Sequence, residues 1–330
     1  MKVLQQLSHG ATAAVVRLRS LGDTVLITPA LQLLRRARPD LWIVVLLDRA
    51  LVPLLDGSPD VDQVVAVDPH GRRDLIRFVR SLKPELCLNL HGGSTSAWIT
   101  ALSGAKYRAG YEHYSKRFLY NVRIPRAQKI LGRPTDAPVH TAEHHASAIF
   151  HLGAEVSPIP AARLQAKPRP AQREPYAIFH VAAAYETKRW SEKHFLTTAR
   201  HVRDRHGLSP LIMAGPGQDK ALEAFREFER LPQLSIPAMK TFVENSSLFV
   251  GNDSGPAHVA AAFGVPSVVI FGSSDSRVWG PWGRNGEAVE TAWDCKPCPG
   301  DKCRAFGEPR CILSVTPEAV EAAIERALAR

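Results

Sequence analysis

The octapeptide GNDSGPAH at residues 251–258 combines the residue types that hold a phosphate group. An apolar run predicts a strand over 248–250 just before it, and the Ser-Gly-Pro core at 254–256 fits an N-cap, a close backbone approach and a helix start. The amide groups and the positive dipole end of such a helix attract an anion. A glycine-rich cap alone is common, but Asp253 and His258 flank this one, so we predict a phosphate seat.

The turn RLRSLGD at residues 17–23 joins a predicted strand, 14–18, to a predicted helix that begins at Thr24. Asp23 could simply cap this helix, because a side-chain oxygen at that point accepts a first-turn amide hydrogen. In a parallel α/β sheet the same carboxylate lies at the edge where ligands bind, and there it could act as a general base on a hydroxyl nucleophile. The turn alone leaves both interpretations open.

The segment TKRW at residues 187–190 follows a predicted strand that ends at His180 and precedes a predicted helix over 191–206. Lys188 could place a compact positive charge on a diphosphate leaving group. That task needs no catalytic metal when a helix terminus shares the negative charge. We assign Thr187 to the same donor contact. The alternative is that Lys188 is an ordinary surface cation.

Four of the five cysteines are clustered late in the chain, with the spacing Cys-x2-Cys-x4-Cys-x7-Cys. They are Cys295, Cys298, Cys303 and Cys311. In a cytoplasmic chain such clustering favours a metal site over disulfides, and four thiolates suit a structural tetrahedral site for zinc or iron. The spacing does not match a standard double Cys-x2-Cys ribbon, so reduced free thiols are the alternative.

Short β-rich apolar runs alternate with helical patterns from residue 13 onward, which predicts parallel sheets covered on both faces. The alternation breaks at residues 157–175, a stretch with five prolines. We therefore predict an N-terminal domain over 1–156, a Pro-rich linker over 157–175 and a C-terminal domain over 176–330. The fold class is α/β, with two Rossmann-like, doubly wound lobes facing a central cleft.

Positive charge is concentrated in the first half of the chain. Residues 1–165 hold 21 Lys and Arg against 13 Asp and Glu, a net +8, and the remainder holds 21 against 19, a net +2. Such an excess suits an anionic partner, although a solvated basic surface is the plain alternative. The basic residues that we predict to bind an anionic acceptor lie in loops of this half. They are Arg17, Arg19, Arg72, Arg73, Lys116 and Arg117.

Several classes of protein are disfavoured by what the sequence contains. The longest apolar runs are shorter than the roughly 20 residues of a membrane helix, and the N-terminus shows no secretory signal pattern, so we expect a cytoplasmic protein. No helix-turn-helix, RNP or KH signature supports nucleic-acid binding. A dinucleotide-dependent oxidoreductase needs G-x-G-x-x-G after its first strand, where this chain has SLGD; the later GPGQD at 215–219 is only a fragment of that fingerprint.

The turns SLGD and TKRW, the segment GNDSGPAH with its continuation into AAAFGVPSVVIFG, and the late cysteine cluster occur in an order that resembles glycosyltransferase family 9. These are the ADP-heptose:lipopolysaccharide heptosyltransferases, and the similarity covers nearly the whole chain. The resemblance implies a GT-B fold and an inverting transfer of heptose from ADP-heptose to an inner-core lipopolysaccharide acceptor. It also implies work at the inner face of the cell membrane, as a peripheral protein.

The same resemblance assigns roles by position. Asp23 would deprotonate the acceptor hydroxyl and Lys188 would bind donor phosphate. Asp253 would lie near the donor sugar, and the residues implied to hold the diphosphate are Ser254, Gly255 and His258. An inverting displacement needs its base and its leaving-group stabiliser on opposite sides of the anomeric carbon, which predicts that Asp23 and Lys188 serve from opposite lobes.

Two positions depart from the family pattern. His180-Val181-Ala182 stands where a His-Pro-Gly run is usual, and Gln218, followed by Asp219, stands where an acidic residue often holds the nucleotide ribose. Both positions concern the donor. The alternatives are therefore another nucleotide sugar or acceptor on the same fold, or a catalytically silent nucleotide-sugar binder, which would not need Asp23.

Overall fold

Near-continuous apolar runs in the sequence form strands that are buried on both faces, as expected for parallel strands covered by helices. The computed structural model describes residues 2–68, 72–166, 174–298 and 300–330, without the side chains of residues 72 and 73. The chain divides into two units, Met1–Gln165 and Ala166–Arg330. Each unit has its own sheet, so the predicted pair of doubly wound lobes is confirmed.

Unit 1 contains a six-stranded parallel sheet in the order β3-β2-β1-β4-β5-β6. Its strands are β1 (Thr12–Val16), β2 (Trp42–Asp48), β3 (Gln63–Val67), β4 (Leu86–Asn89), β5 (Tyr107–Tyr111) and β6 (Val122–Ile124). Its described α-helices are α1 (Leu21–Leu26), α2 (Thr28–Ala37), α3 (Arg72–Ser81), α4 (Ser94–Leu102), α5 (Ala127–Ile130) and α6 (Thr141–Leu152).

Unit 2 repeats this arrangement, with the strand order β12-β11-β10-β7-β8-β9. Its strands are β7 (Tyr176–His180), β8 (Ser209–Met213), β9 (Glu229–Leu231), β10 (Leu248–Asn252), β11 (Ser267–Phe271) and β12 (Gly286–Glu290). Its described α-helices are α7 (Glu192–His206), α8 (Ile236–Glu244), α9 (Gly255–Ala262), α10 (Ser276–Trp279), α11 (Arg310–Leu313) and α12 (Pro317–Leu328).

In each sheet the chain order reverses once, between β1 and β4 in unit 1 and between β7 and β10 in unit 2. Helices leave adjacent strands to opposite faces at such a point, so a crevice opens beyond the carboxyl ends of the two strands. In unit 1 the turn that contains Asp23 follows β1 directly. In unit 2 the GNDSGPAH segment begins within β10 and continues into α9.

The terminal helix α12 begins with Thr316 as N-cap, which accepts from the Ala319 amide at 3.3 Å, and has Pro317 in its first turn. Its buried residues belong to the core of unit 2. They are Val320, Ala323, Ile324 and Ala327. Within the described ranges, no helix is long and apolar enough to cross a lipid bilayer.

The predicted linker does not behave as one segment. Arg163 pairs with Asp60, at 2.5 and 2.9 Å, and Gln32 donates to the Ala161 carbonyl at 2.9 Å, so residues up to 165 belong to unit 1. Prolines exclude helix here, but they do not prevent an extended chain from packing on a domain. Residues 167–173 of the predicted linker lie outside the described residues.

Candidate active site

Asp23 lies in the first turn of α1, held from two sides. Its Oδ2 accepts from the Ser20 amide at 3.2 Å and from the Ser20 hydroxyl at 2.8 Å, and Arg17 pairs with its Oδ1. The capping interpretation is thus part of its role. A carboxylate has about four acceptor sites, and three contacts leave capacity for a further hydrogen bond. The side chain is 20% exposed, so a ligand hydroxyl can reach it.

Arg17 has a different place from the one predicted. It is buried, and its Nη1 donates to the Leu90 carbonyl at 2.6 Å while its Nη2 holds Asp23. A guanidinium fixed by two protein partners is not a free anion receptor. The prediction that Arg17 binds the acceptor is therefore replaced by a positioning role: it joins the carboxyl ends of β1 and β4 and aims the Asp23 carboxylate.

A cavity of about 300 Å³ opens at the carboxyl ends of the unit 1 strands. Its polar lining includes the predicted Arg19 together with Asp48, Asp68 and His91. Burial, with Arg17 and Arg19 adding positive charge, lowers the pKa of His91, so its imidazole is neutral near pH 7. The lining mixes one cation with carboxylates and a neutral imidazole, which suits a ligand with both hydroxyl and anionic groups.

The other predicted acceptor residues are less informative. Lys116 precedes a short 3₁₀ segment, Arg117–Leu119, and Arg117 is exposed, with a weak bond to the Glu112 carbonyl at 3.4 Å. Neither residue lines the 300 Å³ cavity. The side chains of Arg72 and Arg73 lie outside the described residues, so their predicted role stays a prediction.

The predicted phosphate seat has the expected local form. Ser254 is the N-cap of α9, with extended backbone, and Pro256 occupies the first turn. The Ser254 hydroxyl donates to the Asn252 carbonyl at 3.0 Å and lies 3.1 Å from His180 Nδ1. Burial lowers the pKa of His180 to about 4, so a neutral imidazole supports the cap from β7. Gly255 opens the helix, and His258 is buried within it.

Lys188 comes to this seat from the loop after β7. Its Nζ lies 2.6 Å from Asp253 Oδ2, and the Ser274 hydroxyl donates to the same oxygen at 2.6 Å. The Lys188 side chain is 25% exposed, whereas Asp253 is only 6% exposed. The Asp253 carboxylate is therefore the buried member of the pair, and the Lys188 ammonium is the more exposed one. The predicted pair of donor residues is brought together, with Asp253 acting first as the anchor of Lys188.

Asn252 fixes the loop that carries Lys188. Its Oδ1 accepts from the Trp190 amide at 2.9 Å and its Nδ2 donates to the Val181 carbonyl at 3.1 Å. Trp190 is fully buried and donates through Nε1 to the Val315 carbonyl at 2.8 Å. One amide side chain at the end of β10 thus fastens the β7 loop on both sides of Lys188.

Thr187 does not occupy the donor contact predicted for it. It is 1% exposed, its hydroxyl donates to the Gly300 carbonyl, and it accepts from the Ser273 hydroxyl at 3.1 Å. A threonine has a single hydroxyl proton, which is used here within the protein. Thr187 therefore ties the Lys188 loop to the cysteine-bearing segment.

The GPGQD turn follows β8. Gln218 donates to the Ala183 carbonyl at 3.0 Å, and Asp219 begins a 3₁₀ segment, Asp219–Phe225. Asp219 Oδ2 accepts from Gln233 at 2.8 Å. Its Oδ1 is a buried acceptor for which the described part of the chain supplies no hydrogen-bond donor.

The four clustered cysteines line one cavity of about 160 Å³, with Thr187 and Ser273 on the same wall. All four are free thiols. No three of their sulfurs, as described here, lie within 4.8 Å of one another. The donor set suits a thiophilic metal, but the sulfurs must close in to bind it. Burial raises the pKa of the Cys311 thiol, so binding there must also displace a proton.

Several supporting residues were missed from the sequence. Ser274, Asn252 and His91 all lie at the carboxyl end of a strand next to one that carries a predicted site residue. The available signal was their position just after the end of a predicted strand, because the residues that follow neighbouring parallel strands meet at one edge of the sheet. What the sequence lacked was the strand order, which only the fold provides.

Known proteins resemble this chain in sequence and in fold. The profile of glycosyltransferase family 9 (heptosyltransferase) matches residues 72–307. Lipopolysaccharide heptosyltransferase 3 of Escherichia coli is 25% identical over 307 residues, covering 80% of this chain and 84% of that protein. Lipopolysaccharide heptosyltransferase 1 of Pseudomonas aeruginosa is 24% identical over 347 residues, covering 95% of this chain and 97% of that protein.

Solved structures show the same fold. E. coli ADP-heptose lps heptosyltransferase II superposes with a TM-score of 0.80 at 19% identity, covering 97% of this chain and 98% of that one. E. coli heptosyltransferase WaaC with ADP gives 0.72 at 18%, covering 96% and 99%. The iron-containing glycosyltransferase TibC of enterotoxigenic E. coli gives 0.64 at 16%, covering 98% and 80%. With the GT-B fold in place and the family profile matching most of its length, the chain belongs to glycosyltransferase family 9 and is a glycosyltransferase.

Proposed function

We propose that this enzyme transfers heptose from ADP-heptose to an inner-core sugar of lipopolysaccharide, with inversion at the anomeric carbon. The observation that carries the proposal is the Lys188–Asp253 pair at the N-terminus of α9, at the crevice of unit 2. A cation and a helix N-terminus at one point are suited to a leaving diphosphate. Relatives named as lipopolysaccharide heptosyltransferases, and a neighbour solved with ADP, support this choice of substrates.

In the donor half, the positive charge of Lys188 stabilises the negative charge that develops on ADP as the glycosidic bond breaks. Ser254 and Gly255 present the first amide groups of α9 to the phosphates, where the helix dipole adds to the attraction. His258, buried in the same helix, is the third residue that we assign to the diphosphate. The chain's own groups thus supply the stabilisation of the leaving group.

In the acceptor half, Asp23 removes the proton from the attacking hydroxyl. The Ser20 and Arg17 contacts fix its orientation and leave one acceptor position open. The deprotonated oxygen attacks the anomeric carbon from the face opposite the diphosphate, the glycosidic C–O bond breaks, and the configuration inverts. The proton stays on Asp23 until it passes to solvent.

The acceptor is recognised by unit 1. In the 300 Å³ cavity, Asp48 and Asp68 accept from sugar hydroxyls and Arg19 pairs with an anionic substituent. Lys116, Arg117, Arg72 and Arg73 add to the net +8 of residues 1–165, which attracts a phosphorylated glycolipid to this unit. The enzyme then works in the cytoplasm at the inner face of the membrane, as a peripheral protein.

The nucleotide is bound through its ribose by Asp219. The buried Oδ1 of this residue accepts a ribose hydroxyl, while Gln233 holds Oδ2. Gln218 positions the turn through Ala183. Calorimetric titration with ADP, UDP and GDP tests which nucleobase the site prefers. ADP binds most tightly if the donor is ADP-heptose, and a preference for UDP favours another nucleotide sugar.

Cys295, Cys298, Cys303 and Cys311 hold one structural zinc or iron ion. When bound, the ion cross-links the segment that Thr187 ties to the Lys188 loop. Elemental analysis of the purified protein tests this: Cys298→Ser should contain one equivalent of zinc or iron less than the wild type. If Cys298→Ser contains as much metal as a Cys87→Ala control, the cysteine site is contradicted.

The base and the leaving-group residue are tested separately. Asp23→Asn keeps a helix-capping side chain, so the fold should persist while transfer falls by about 10²- to 10⁴-fold and the ADP dissociation constant stays unchanged. Lys188→Met should instead weaken ADP binding by about 10- to 100-fold. The exposed Asp56→Asn and Lys193→Met variants are matched controls.

Transfer by Asp23→Asn at the wild-type rate excludes Asp23 as the base. If ADP binds to every variant but no nucleotide sugar is turned over by the wild type, the silent-binder alternative is correct. Mass spectrometry of a core-oligosaccharide acceptor incubated with individual nucleotide sugars provides that readout.

A further inference from the structure

A second cluster of metal-ligating side chains lies away from both crevices. His201 and His206, near the end of α7, meet Glu325 on α12. One ligand atom from each of the three residues lies within 4.8 Å of the others, and no further group of three such residues meets this distance within the described ranges. His206 Nε2 is 3.3 Å and His201 Nε2 is 3.9 Å from the same oxygen, Glu325 Oε1.

The simplest explanation is that each histidine forms an ion pair with Glu325, but neither contact has the geometry of a hydrogen bond. Both Nε2 atoms are buried, and neither has a hydrogen-bond partner among the residues that the structure describes. Two imidazole nitrogens and one carboxylate oxygen converge on a common point instead. A cation there would be bound by all three at once.

The surroundings of His201 fit a metal ligand. Its other ring nitrogen, Nδ1, lies 3.5 Å from Glu321 Oε2, one turn before Glu325 on α12. Histidines that bind metal commonly direct their second nitrogen at a carboxylate, which fixes the tautomer and leaves the first nitrogen's lone pair for the ion. Glu321 thus orients the His201 lone pair towards Glu325 and His206.

Helix polarity also favours a cation. α7 ends at His206, and the C-terminal end of a helix carries partial negative charge. The groups facing the site are Glu321 and Glu325 from α12 and Arg205 from α7. Arg205 Nε lies 3.9 Å from Glu325 Oε1, but its side chain is 71% exposed and can turn into solvent.

The cluster is separate from the donor seat. α7 connects the carboxyl end of β7 to the amino end of β8, so its last turn lies at the opposite edge of the sheet from Ser254. An ion at this end cannot contact the transferred sugar. Its effect would be to join α12 to α7.

We propose that His201, His206 and Glu325 form a binding site for a divalent transition-metal ion, with Zn²⁺ as the expected occupant and water as the fourth ligand. Two imidazoles and a carboxylate are a ligand set that zinc accepts in tetrahedral sites. Metal–nitrogen bonds of about 2.0 Å require the ligands to approach one another, and the half-exposed Glu325 provides that movement. The ion braces the terminal helix against unit 2.

The experiment must separate this site from the cysteines. Full-length protein carrying Cys295→Ser and Cys298→Ser is stripped with chelator and dialysed against Zn²⁺ alone. We expect one bound equivalent and a raised melting temperature. Adding His206→Gln should remove both, while Glu321→Gln should weaken binding by about 10- to 100-fold. The exposed His9→Gln is the matched control, and transfer activity should not respond to His206→Gln.

Cobalt provides an independent measurement. Co²⁺ bound here should lack the intense charge-transfer absorption of thiolate ligands, which Co²⁺ at the cysteines would show. Retention of the zinc equivalent in the His206→Gln protein overturns the proposal. So does a failure of the cysteine-substituted protein to bind any Zn²⁺ while it remains folded.

Discussion

At the scale of single residues, a polar side chain at the carboxyl edge of a sheet is either partly open to solvent, as Lys188 is, or buried and bonded within the protein, as Arg17 is. Asp23, Lys188 and Asp253 were predicted from type and position, and all three lie at the carboxyl edge of a sheet. Arg17 and Thr187 were assigned to ligands, but each is used within the protein. These internal contacts could not be predicted from residue type, because whether a polar side chain is free or bonded within the protein depends on neighbours that are distant in sequence.

Arg17 provides a test at this scale. Arg17→Met removes the partner of Asp23 and leaves the Leu90 carbonyl without its donor, so we expect kcat to fall while the ADP dissociation constant is unchanged. The unpaired carbonyl should cost about 1–3 kcal/mol of stability.

Arg17→Lys separates positioning from structure. Lysine restores one charge but not the two-pronged contact, so kcat should recover partly and KM for the acceptor should change little. If Arg17→Met lowers stability but leaves kcat intact, Arg17 is merely structural.

At the scale of elements, strands and helices with a clear period were predictable, and the connections were not. α7 spans Glu192–His206, close to the helix predicted over 191–206. The Tyr- and basic-rich stretch over residues 107–124 contains the short strands β5 and β6. Charged residues interrupt its apolar pattern; β5 is paired on both sides, and only β6 forms the edge of the sheet, where one flank is open.

Gly272, directly after β11, connects two elements by close approach. A Cβ at this position would lie 2.0 Å from the Thr187 carbonyl oxygen and 2.9 Å from Ile312 Cβ. Only a residue without a side chain lets the Lys188 loop and α11 come this close to the strand end.

Gly272→Ala should therefore lower the free energy of unfolding by about 1–3 kcal/mol or more and weaken ADP binding, because the obstacle is backbone. Gly215→Ala is the comparison: its Cβ would meet the Gln218 Oε1 atom, the end of a flexible side chain. Chemical denaturation and ADP titration of the two variants measure the contrast. Equal losses in both would contradict the argument.

At the scale of the whole molecule, buried histidines make stability depend on pH. Burial lowers the pKa of His180 to about 4 and that of His144 to about 3, and it lowers the pKa of His145 well below its ordinary value. An unfolded chain protonates these residues near pH 6.5. Between pH 6.5 and about 4 the unfolded state thus binds more protons, and stability falls as the pH is lowered.

Each such histidine should remove about 1.4 kcal/mol per pH unit in this range. His145→Met eliminates one of them, so unit 1 should lose stability less steeply between pH 6.5 and 4.5 than in the wild type. Urea denaturation at several pH values measures the slope, with the exposed His9→Gln as control. An unchanged slope would mean that His145 does not titrate differently on unfolding.

The bond between Lys188 and Asp253 has a consequence for the catalytic cycle. In the reaction proposed above, the donor diphosphate must compete with Asp253 for the ammonium group, which reduces the net free energy of donor binding. The same competition operates in reverse after transfer, when the carboxylate can reclaim Lys188 as ADP departs. On the proposed mechanism we expect Asp253 to limit product inhibition, so that weaker ground-state binding of the donor accompanies faster release of the product.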